Sequence, residues 1–522
     1  MREMKKRAMS ACLAVGILGT MLAGCGGDGG NENVDQVTTD MTAVGGEEVV
    51  TLKWYMSLPS VAPDTDAVIA ELNKYTREKI GVEIAYMPMS DSDYMEKMPT
   101  YINSGEAFDI CFTANWSTDY LQFAQRDAFL DISALLPEYG KETWDFIPEE
   151  VWKAVSVNGA VYGIPSYKEQ GWQGGIYVNS EMAEAYGIDL SAVKTLEDYT
   201  AVLKTVSEKA KAENKKVIGI SGLSQGFTHL TPYESLLGNG MLPGASAVAA
   251  YGNFSGQEEI FNQYATQEYM DYCKLVYGWN KAGYLPSDPL NYDQDTANRD
   301  NDFTNGTLFS YAIQYAPGAA ESAAALYGHE VTFIPMMTPL FETRSALGGL
   351  MAVSSSCKNP EKAVEFLNLL NTDEYVGTLI RHGIEGTHYT AVGDAQVDKT
   401  MGGTLSAENN GYDYTFGWQF GSPFNQKWDI SYPENIEELF QEYNASAVTG
   451  PHVGFSFDSS SVNTEISALT NIVAEYAPAL ENGMVNPEEK IPEFLSALEA
   501  NGVDGLLNEV QTQLDGWKGT QQ

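Results

Sequence analysis

Residues 222–226, GLSQG, have the spacing of a catalytic motif. They fit the G-x-S-x-G pattern, which in hydrolases places a nucleophilic serine, here Ser224, on a sharp turn between a strand and a helix. His382 and His388 follow later in the chain and could act as the base. However, residues 227–232 predict no apolar helix, and so loose a pattern recurs by chance in a chain with 49 glycines. A serine hydrolase that uses Ser224 is therefore kept only as an alternative.

Metal and cofactor chemistry has weaker sequence support. Asp293, Asp295, Asp300 and Asp302 form an acidic segment, but the glycine and the glutamate that a calcium loop needs at its sixth and twelfth positions are missing. We expect a solvated loop there. The sequence contains no Walker A motif, no G-x-G-x-x-G after a strand and no H-E-x-x-H. No spacing of carboxylates indicates a glycosidase pair either. We therefore expect no metal, no cofactor and no enzymatic activity.

Length and charge restrict the class of protein. A chain of 522 residues is too long for one core, which predicts two or three domains. Its 43% hydrophobic and 19% charged residues are typical of a globular protein. The formal net charge of −41 repels nucleic acid, so we exclude nucleic-acid binding. Cys111, Cys273 and Cys357 are too far apart in sequence to predict a disulfide framework or a C-x-x-C site.

The N-terminus predicts export. Four basic residues precede the apolar run 8–22, which has the layout of a secretory signal peptide over residues 1–24. The sequence LAGC at 22–25 resembles a bacterial lipobox, in which the cysteine, here Cys25, is lipidated. The alternative is a plain signal peptide with an incidental cysteine. Residues 25–48 are rich in Gly, Asp, Asn and Thr and predict a disordered tether.

The folded part begins with alternating strands and helices. Strands are predicted at 49–56, 82–86 and 108–112, with helices at 63–79 and 94–102 between them. This order predicts a mostly parallel sheet, in which ligands bind beyond the carboxyl ends of the strands. Ser57, Asn115 and Trp116 follow two of those ends. Further strands are predicted at 217–220, 306–313, 331–335 and 347–354, and helices at 195–214, 267–281, 360–370, 437–445, 462–476, 491–500 and 503–514.

Residues 157–180 predict a passage between two lobes. Asn158-Gly159 favours a tight hairpin turn, and Pro165 ends the short strand at 161–164. A polar, aromatic and glycine-rich connector then leads to a second strand at 176–178. Two strands joined in this way suit a hinge, in which a few residues absorb large φ/ψ changes. An ordinary surface hairpin loop is the alternative.

Several short segments in order resemble one known family. They are the lipobox at Cys25, residues 157–165 (VNGAVYGIP), 177–179 (YVN), 195–199 (TLEDY), 348–353 (GGLMAV) and 359–363 (NPEKA). Together they resemble the extracellular solute-binding proteins of ABC importers, family 1, and residues 383–389 (GIEGTHY) resemble the LipO-like branch. The resemblance implies an α/β, two-lobe periplasmic-binding-protein-like fold with hinge strands, which closes on a ligand, and a helical C-terminal extension.

We expect the lobes to divide the chain several times. The N-lobe should comprise residues 49–170 and 313–350, and the C-lobe residues 171–312 and 351–390. Residues 391–522 should form an aromatic and helical extension packed on both lobes.

The resemblance implies a ligand cleft with aromatic and polar walls. Neutral sugars need an apolar face for stacking and hydrogen-bond partners around their hydroxyl groups. The candidate ligand-binding residues are Ser57, Asn115, Trp116, Tyr167, Lys168, Glu169, Trp172, Gln173, Gln314, Arg344, Trp418 and Trp428.

The implied function is capture for transport. We expect a monomeric protein that is lipid-anchored on the extracellular face of the bacterial cell membrane. It would bind a small polar ligand, expected to be an oligosaccharide, and deliver it to the permease subunits of an ABC importer. A peptide ligand is the alternative within this class, because Lys168, Glu169 and Arg344 could clamp its charged termini.

Overall fold

The fold is built around two central sheets, each with its own hydrophobic core, and three smaller sheets accompany them among the described residues. The structure is a computed structural model that describes residues 49–223, 226–230, 234–236, 246–247, 260–406, 409–414 and 417–520. Cys25, the predicted signal peptide and tether, and Ser224 lie outside the described residues.

The strands in the described ranges are short apart from the first two. They are β1 (Val50–Leu58), β2 (Val82–Ser90), β3 (Ile110–Thr113), β4 (Gly163–Pro165), β5 (Gly174–Asn179), β6 (Glu234–Ser235), β7 (Ser246–Ala247), β8 (Ser310–Gln314), β9 (Val331–Pro335), β10 (Leu340–Phe341), β11 (Leu350–Val353), β12 (Thr390–Val392), β13 (Gln396–Asp398), β14 (Trp428–Asp429) and β15 (Val448–Thr449).

Helices cover both sheets, and none of those described combines the length and the apolar character that crossing a membrane would take. They are α1 (Thr65–Ile80), α2 (Asp91–Ser104), α3 (Tyr120–Gln125), α4 (Leu136–Tyr139), α5 (Lys141–Phe146), α6 (Glu149–Val155), α7 (Ser180–Ala185), α8 (Leu196–Ala212), α9 (Gly226–Leu230), α10 (Gln267–Ala282), α11 (Pro289–Gln294), α12 (Thr296–Thr304), α13 (Ala319–Tyr327), α14 (Thr343–Ala346), α15 (Pro360–Thr372), α16 (Glu374–His382), α17 (Ile436–Ser446), α18 (Asn463–Glu481), α19 (Pro487–Ala500) and α20 (Val503–Thr520).

The first lobe is organised around a five-stranded sheet in the order β2-β1-β3-β11-β4. β1 pairs in parallel with β2 and β3, as the β-α-β-α-β pattern predicts, whereas β11 runs antiparallel between β3 and β4. Trp54 on β1 is fully buried, and its ring centroid lies 5.3 Å from that of Phe366 on α15. The first lobe therefore contains both the early βαβ units and a late return of the chain.

The second lobe is organised around the antiparallel sheet β8-β5-β9. Ile176 and Val178 on β5 are fully buried in a core that α8 and α10 also line. The C-terminal helices α18, α19 and α20 supply buried side chains to the same core, including Leu469 and Leu514. The predicted C-terminal helices are thus part of this lobe's core and do not form a separate layer.

The predicted lobe boundaries after residue 312 were wrong. Residues 331–335 form β9, which pairs with β5 of the second lobe, although the sequence placed 313–350 in the N-lobe. Residues 351–390 supply β11, α15 and α16 to the first core, although the sequence placed them in the C-lobe. The reason is that β11 inserts between β3 and β4 with all four of its residues buried. In addition, the strand predicted at 217–220 is reduced to isolated bridges at Ile218 and Ser221.

Three segments carry the chain between the two cores. The first crossing segment is residues 166–173, the second 336–349, and the third 447–454. The second lies between the other two: Trp172 and Leu340 exchange N–H···O=C bonds of 2.8 and 2.9 Å. On its other side, the Val448 amide donates to Pro339 and the Gly450 amide to Phe341, at 2.9 and 2.7 Å. The passage that the sequence predicts within residues 157–180 is therefore one segment of a three-segment, hydrogen-bonded layer.

Close approach within this layer requires glycine at one position. A Cβ atom on Gly171 would lie 2.7 Å from the Cβ of Pro339, which is too close for any other residue without a backbone shift. The Gly171 carbonyl also accepts a 2.8 Å hydrogen bond from the Tyr443 hydroxyl. The first crossing segment thus packs closely against Pro339 of the second and against Tyr443 of α17.

Two local predictions are confirmed. Asn158 and Gly159 both have positive φ, 53° and 83°, and the Val157 and Ala160 backbones pair across them as in a tight hairpin. Thr195 caps α8, and its side chain and that of Asp198 form a reciprocal capping box. These features follow from local chemistry, which is why the sequence alone specified them.

Glu481, at the end of α18, is a carboxyl group buried in the second core, 3% exposed. Burial raises the pKa of Glu481 to about 8, because the charged form loses its hydration. In the unfolded chain the same group ionises near pH 4.3. The folded state therefore holds a proton that the unfolded state releases as pH rises through this interval.

We expect Glu481→Gln to remove a pH-dependent destabilisation. As pH rises from about 4.3 to about 8, wild-type protein should lose free energy of unfolding on the order of a few kcal/mol through this group. The difference in free energy of unfolding between variant and wild type should grow in favour of the variant over that interval. Urea unfolding at pH 5 and pH 8 measures it, with the exposed Glu475→Gln on the same helix as the control. An equal difference at both pH values would contradict the account.

Candidate functional site

A cavity of about 930 Å³ lies between the two lobes. Its walls come from the first lobe through Asn115 and Trp116, which follow β3, and from the second lobe through Gln314 and α13. The first and second crossing segments contribute as well. Nine of the twelve predicted ligand-binding residues line it: Asn115, Trp116, Lys168, Glu169, Trp172, Gln314, Arg344, Trp418 and Trp428.

Three predicted residues do not line the cavity. Ser57 is fully buried, and its hydroxyl donates to Asp91 at the start of α2, 2.6 Å away. Tyr167 packs its ring between Phe146 and Phe424. The Gln173 side chain donates to the Met337 carbonyl at 2.8 Å, inside the layer of crossing segments. All three are engaged in holding elements together, so the sequence prediction is corrected at these positions.

Two tryptophans form an aromatic corner in the cavity. The ring centroids of Trp116 and Trp418 are 6.4 Å apart and the rings are inclined at 60°. Trp116 is 44% exposed, although its indole N–H donates to the Gly348 carbonyl at 2.8 Å. Its indole is therefore held by the second crossing segment while part of the ring stays exposed. Such a corner offers apolar surface of the kind on which the CH face of a sugar ring stacks.

The other two predicted tryptophans are more enclosed. The Arg344 guanidinium lies 4.7 Å from the ring centroid of Trp172, so it covers one face of that ring. Trp428 is 9% exposed and packs against Tyr432 and Phe440, with centroids 5.2 and 5.7 Å away. Both residues line the cavity but present less apolar surface than Trp116.

The charged side chains of the cavity are paired. Lys168 contacts Glu169, and its ammonium also lies 5.3 Å over the Trp418 ring. Arg344 donates through both Nε and Nη2 to Oε1 of the fully buried Glu342, at 2.8 and 2.7 Å. The ammonium of Lys399 lies 2.5 Å from Asp413. These cations therefore have carboxylate partners within the protein itself.

Arg381 fixes the loop that carries Trp418. It is 1% exposed, and it donates five hydrogen bonds of 2.8–3.3 Å to oxygen atoms. The acceptors are the carbonyls of Gly377, Gly417, Phe420 and Ser422 and the side chain of Asn425. Burial lowers the pKa of Arg381 to about 9. Four of the five acceptors lie in 417–425, so this one side chain ties that loop to α16.

Sequence reasoning missed several cavity residues. Tyr315, Leu326, Arg381, Lys399 and Asp413 line the cavity without having been predicted. A single arginine inside a helix has no distinguishing spacing. Asp413 could have been found from the aromatic run at 411–420 that contains it. Tyr412, Tyr414 and Phe420 of this run are buried in the first core, and Trp418 packs against this core.

The features that suggested an enzyme have packing explanations. Gly222 has φ of 76°, and a Cβ there would lie 2.7 Å from the Ala312 carbonyl. A Cβ on Gly226 would lie 2.1 Å from the Tyr272 hydroxyl. Both glycines of the G-x-S-x-G pattern are thus required by close contacts. Contrary to the prediction, a helix, the short α9, does start at Gly226.

The two candidate histidines are engaged in the first lobe. His382 lines the cavity, its Nε2 lies 2.8 Å from the Lys427 carbonyl, and burial lowers the pKa of His382 to about 4. His388 accepts from the Ile384 amide at Nδ1, and its Nε2 lies 3.1 Å from Asp64. Each ring therefore has a structural partner.

The acidic segment is also explained by packing. Asp293 accepts from the Gly222 amide, Asp295 caps α12, and Asp302 accepts from Tyr292 and Thr307. Asp300 accepts from Tyr327 and pairs with Arg299. In the described part of the chain, no group of three or more acidic, histidine or cysteine side chains is arranged to hold a metal ion.

Comparisons with known proteins agree on one class. A family model described as bacterial extracellular solute-binding protein matches residues 70–440, and a domain of unknown function, DUF3502, matches residues 451–519. A carbohydrate ABC transporter substrate-binding protein of Streptococcus pneumoniae serotype 4 is 26% identical over 99% of both chains.

Solved structures are similar in fold. The crystal structure of an N-glycan transport solute-binding protein (NgtS) from Streptococcus pneumoniae is similar with a TM-score of 0.79, at 24% identity over 90% of this chain and 100% of that one. Its complex with Man5GlcNAc gives a TM-score of 0.70, at 24% identity over 90% and 99%. At this identity the similarity concerns the two-lobe α/β fold, which agrees with the fold class that the sequence predicts.

We expect Arg381→Met to destabilise the first lobe. The variant fills similar volume but leaves buried carbonyls such as those of Phe420 and Ser422 without a donor, at a cost on the order of 3 kcal/mol in the free energy of unfolding. Urea unfolding measures the loss. The matched variant Arg126→Met, at an exposed position, should stay within about 0.5 kcal/mol of wild type. Equal stability of the two variants would show that the Arg381 hydrogen bonds carry no net stabilisation.

Proposed function

Because this chain belongs to the family of bacterial extracellular solute-binding proteins, we propose that it captures an oligosaccharide in the cavity between its lobes. The ligand leaves chemically unchanged and passes to the permease subunits of an ABC importer. The carbohydrate ABC transporter protein that shares 26% identity with the whole chain supports this assignment. The structural similarity to a protein whose crystal structure contains Man5GlcNAc supports the same ligand class.

The observation that carries the proposal is the aromatic corner of Trp116 and Trp418. Sugar rings have an apolar CH face and a rim of hydroxyl groups, so they need stacking surface beside hydrogen-bonding groups. The two rings lie 6.4 Å apart at one wall, and amide and hydroxyl groups such as those of Gln314, Ser322 and Gln426 line the same cavity. A volume of about 930 Å³ suits several sugar residues.

Closure would take place about the three crossing segments. Residues 166–173, 336–349 and 447–454 are the connections between the two cores among the described residues, and they pair through backbone hydrogen bonds. A rotation about this layer changes the separation of the lobes without unpacking either core. The ligand shifts the open–closed equilibrium by its difference in affinity for the two states.

A peptide ligand is less well supported. Peptide termini need clamps of both charges, and the sequence offered Lys168, Glu169 and Arg344 for this role. In the structure, Lys168 and Glu169 pair with each other, and Arg344 pairs with Glu342. A bound terminus would have to break one of these pairs, whereas a sugar hydroxyl would not.

We expect Trp116→Ala to weaken oligosaccharide binding at least tenfold, about 1.4 kcal/mol, because the stacking surface is lost. Trp116 is half-exposed, so its removal should leave the midpoint of thermal unfolding within about 2 °C of wild type. Isothermal titration calorimetry with Man5GlcNAc, alongside thermal unfolding, measures both quantities.

The control for this variant is Tyr375→Ala. Tyr375 is similarly exposed, at 47%, and lies on α16 outside the cavity lining. The Tyr375→Ala variant should bind Man5GlcNAc with the same affinity as the wild-type protein. Unchanged affinity in Trp116→Ala would remove the stacking proposal.

We propose further that Cys25 carries a lipid and holds the protein at the extracellular face of the cell membrane, where a monomer would meet its permease. In the native host, Cys25→Ala should abolish incorporation of labelled palmitate and move the protein from the membrane fraction to the medium. Cys12→Ala, within the predicted signal peptide, is the matched control and should keep the label. Membrane retention of the Cys25 variant would contradict the anchor.

A further inference from the structure

The ligand cavity is electrically balanced inside a strongly acidic chain. Four cationic side chains line it: Lys168, Arg344, Arg381 and Lys399. Four carboxylates lie in or directly behind the same wall: Glu169, Asp413 and Asp429 line the cavity, and Glu342 is buried beneath Arg344. The whole chain, by contrast, has a formal net charge of −41. The balance of charges at the cavity therefore differs from the strongly negative net charge of the whole chain.

Each cation has at least one acceptor within the protein. The three ion pairs Lys168–Glu169, Arg344–Glu342 and Lys399–Asp413 are all largely shielded, with every side chain less than one-fifth exposed. Arg381 donates to oxygen atoms of the 417–425 loop and of α16. An incoming carboxylate would thus compete with partners that are already in place.

Breaking such a pair is unfavourable for an anionic ligand. If the ligand took Lys168, Glu169 would be left as a shielded carboxylate without its partner, and removing one member of a buried pair is strongly destabilising. The acidic surface adds long-range repulsion to any anion that approaches the cavity. Both effects weaken the binding of an anionic ligand.

The uncharged lining favours a neutral ligand instead. The Oε1 atom of Gln426 is buried and has no hydrogen-bond partner in the ranges that the structure describes. It lines the cavity together with Ser322, Thr400 and Ser431. A sugar hydroxyl can donate to such an acceptor without disturbing an ion pair. The aromatic corner of Trp116 and Trp418 is likewise indifferent to charge.

We propose that this cavity selects uncharged oligosaccharides and rejects those that carry a carboxylate, such as glycans with uronic or sialic acid. The selection rests on the proposed function and is produced by the internal pairing of the cavity cations. Glu169 and Asp413 are then specificity-determining residues, because they occupy cations that would otherwise recognise an acidic sugar.

The test uses one neutral glycan and its acidic counterpart. Man5GlcNAc and the same glycan with one terminal mannose oxidised to mannuronic acid are titrated into the mature protein by calorimetry at pH 7 and 150 mM salt. Wild-type protein should bind the acidic glycan at least 100-fold more weakly than the neutral one. Comparable affinities would overturn the inference and leave the proposed function intact. Binding of neither glycan would instead argue against the proposed oligosaccharide function and remove the basis of the inference.

Two isosteric variants test whether the internal ion pairs cause the preference for the neutral glycan. Glu169→Gln frees Lys168 and Asp413→Asn frees Lys399, so each should reduce the preference for the neutral glycan at least tenfold. Glu96→Gln removes the same charge from an exposed position on α2 and controls for the change in net charge. Discrimination equal to wild type in both cavity variants would overturn the pairing mechanism. The other adverse outcome is that Glu96→Gln loses as much discrimination between the two glycans as the cavity variants do. That result would assign the selection to the net charge of the protein surface and would also overturn the pairing mechanism.

Discussion

The central constraint in this fold is the backbone pairing of three crossing segments. The second segment, around Leu340 and Phe341, hydrogen-bonds to Trp172 on one side and to Val448 and Gly450 on the other. Each segment leaves one core and enters the other. Any movement of one lobe relative to the other must therefore change the backbone conformation of this three-segment layer. Trp172 and Arg344 belong to this layer and also line the cavity. The cavity lining and the connection between the two lobes therefore share some of the same residues.

Buried polar groups hold one wall of the cavity in place. Arg381 donates to carbonyls of the 417–425 loop. At the start of the first crossing segment, the Ser166 hydroxyl lies within hydrogen-bond distance of the carbonyls of Trp418 and Gly421. Such networks are costly if half satisfied, but when complete they fix a single arrangement. Here the result is that the backbone around Trp418 is held in place while its ring lines the cavity. The three ion pairs of the cavity wall are likewise formed between groups of the protein itself.

The sequence predicted the elements well where local chemistry decides. Periodicity, the Thr195 capping box and the Asn158-Gly159 turn located helices and strands, and the strand ends correctly indicated Asn115 and Trp116 as cavity residues. It failed where the partner is distant in sequence. β11 gives no local sign that it will insert antiparallel between β3 and β4, so the lobe boundaries after 312 were wrong. Ser57 follows a strand end and carries a hydroxyl group, as a sugar-binding residue would. Its hydrogen bond to Asp91, however, depends on the tertiary fold.

A distance measurement across the cavity tests the account most directly. Spin labels are placed at Glu321→Cys, exposed on α13 of the second lobe, and at Thr404→Cys, exposed in the segment that follows β13, and neither position lines the cavity. The experiment uses mature protein without Cys25, in which Cys111 and Cys273 are buried and Cys357 is partly so. Pulsed electron spin resonance should show a shorter and narrower distance distribution when a neutral glycan saturates the protein. An unchanged distribution at saturation, verified by calorimetry, would contradict closure of two lobes about the three crossing segments.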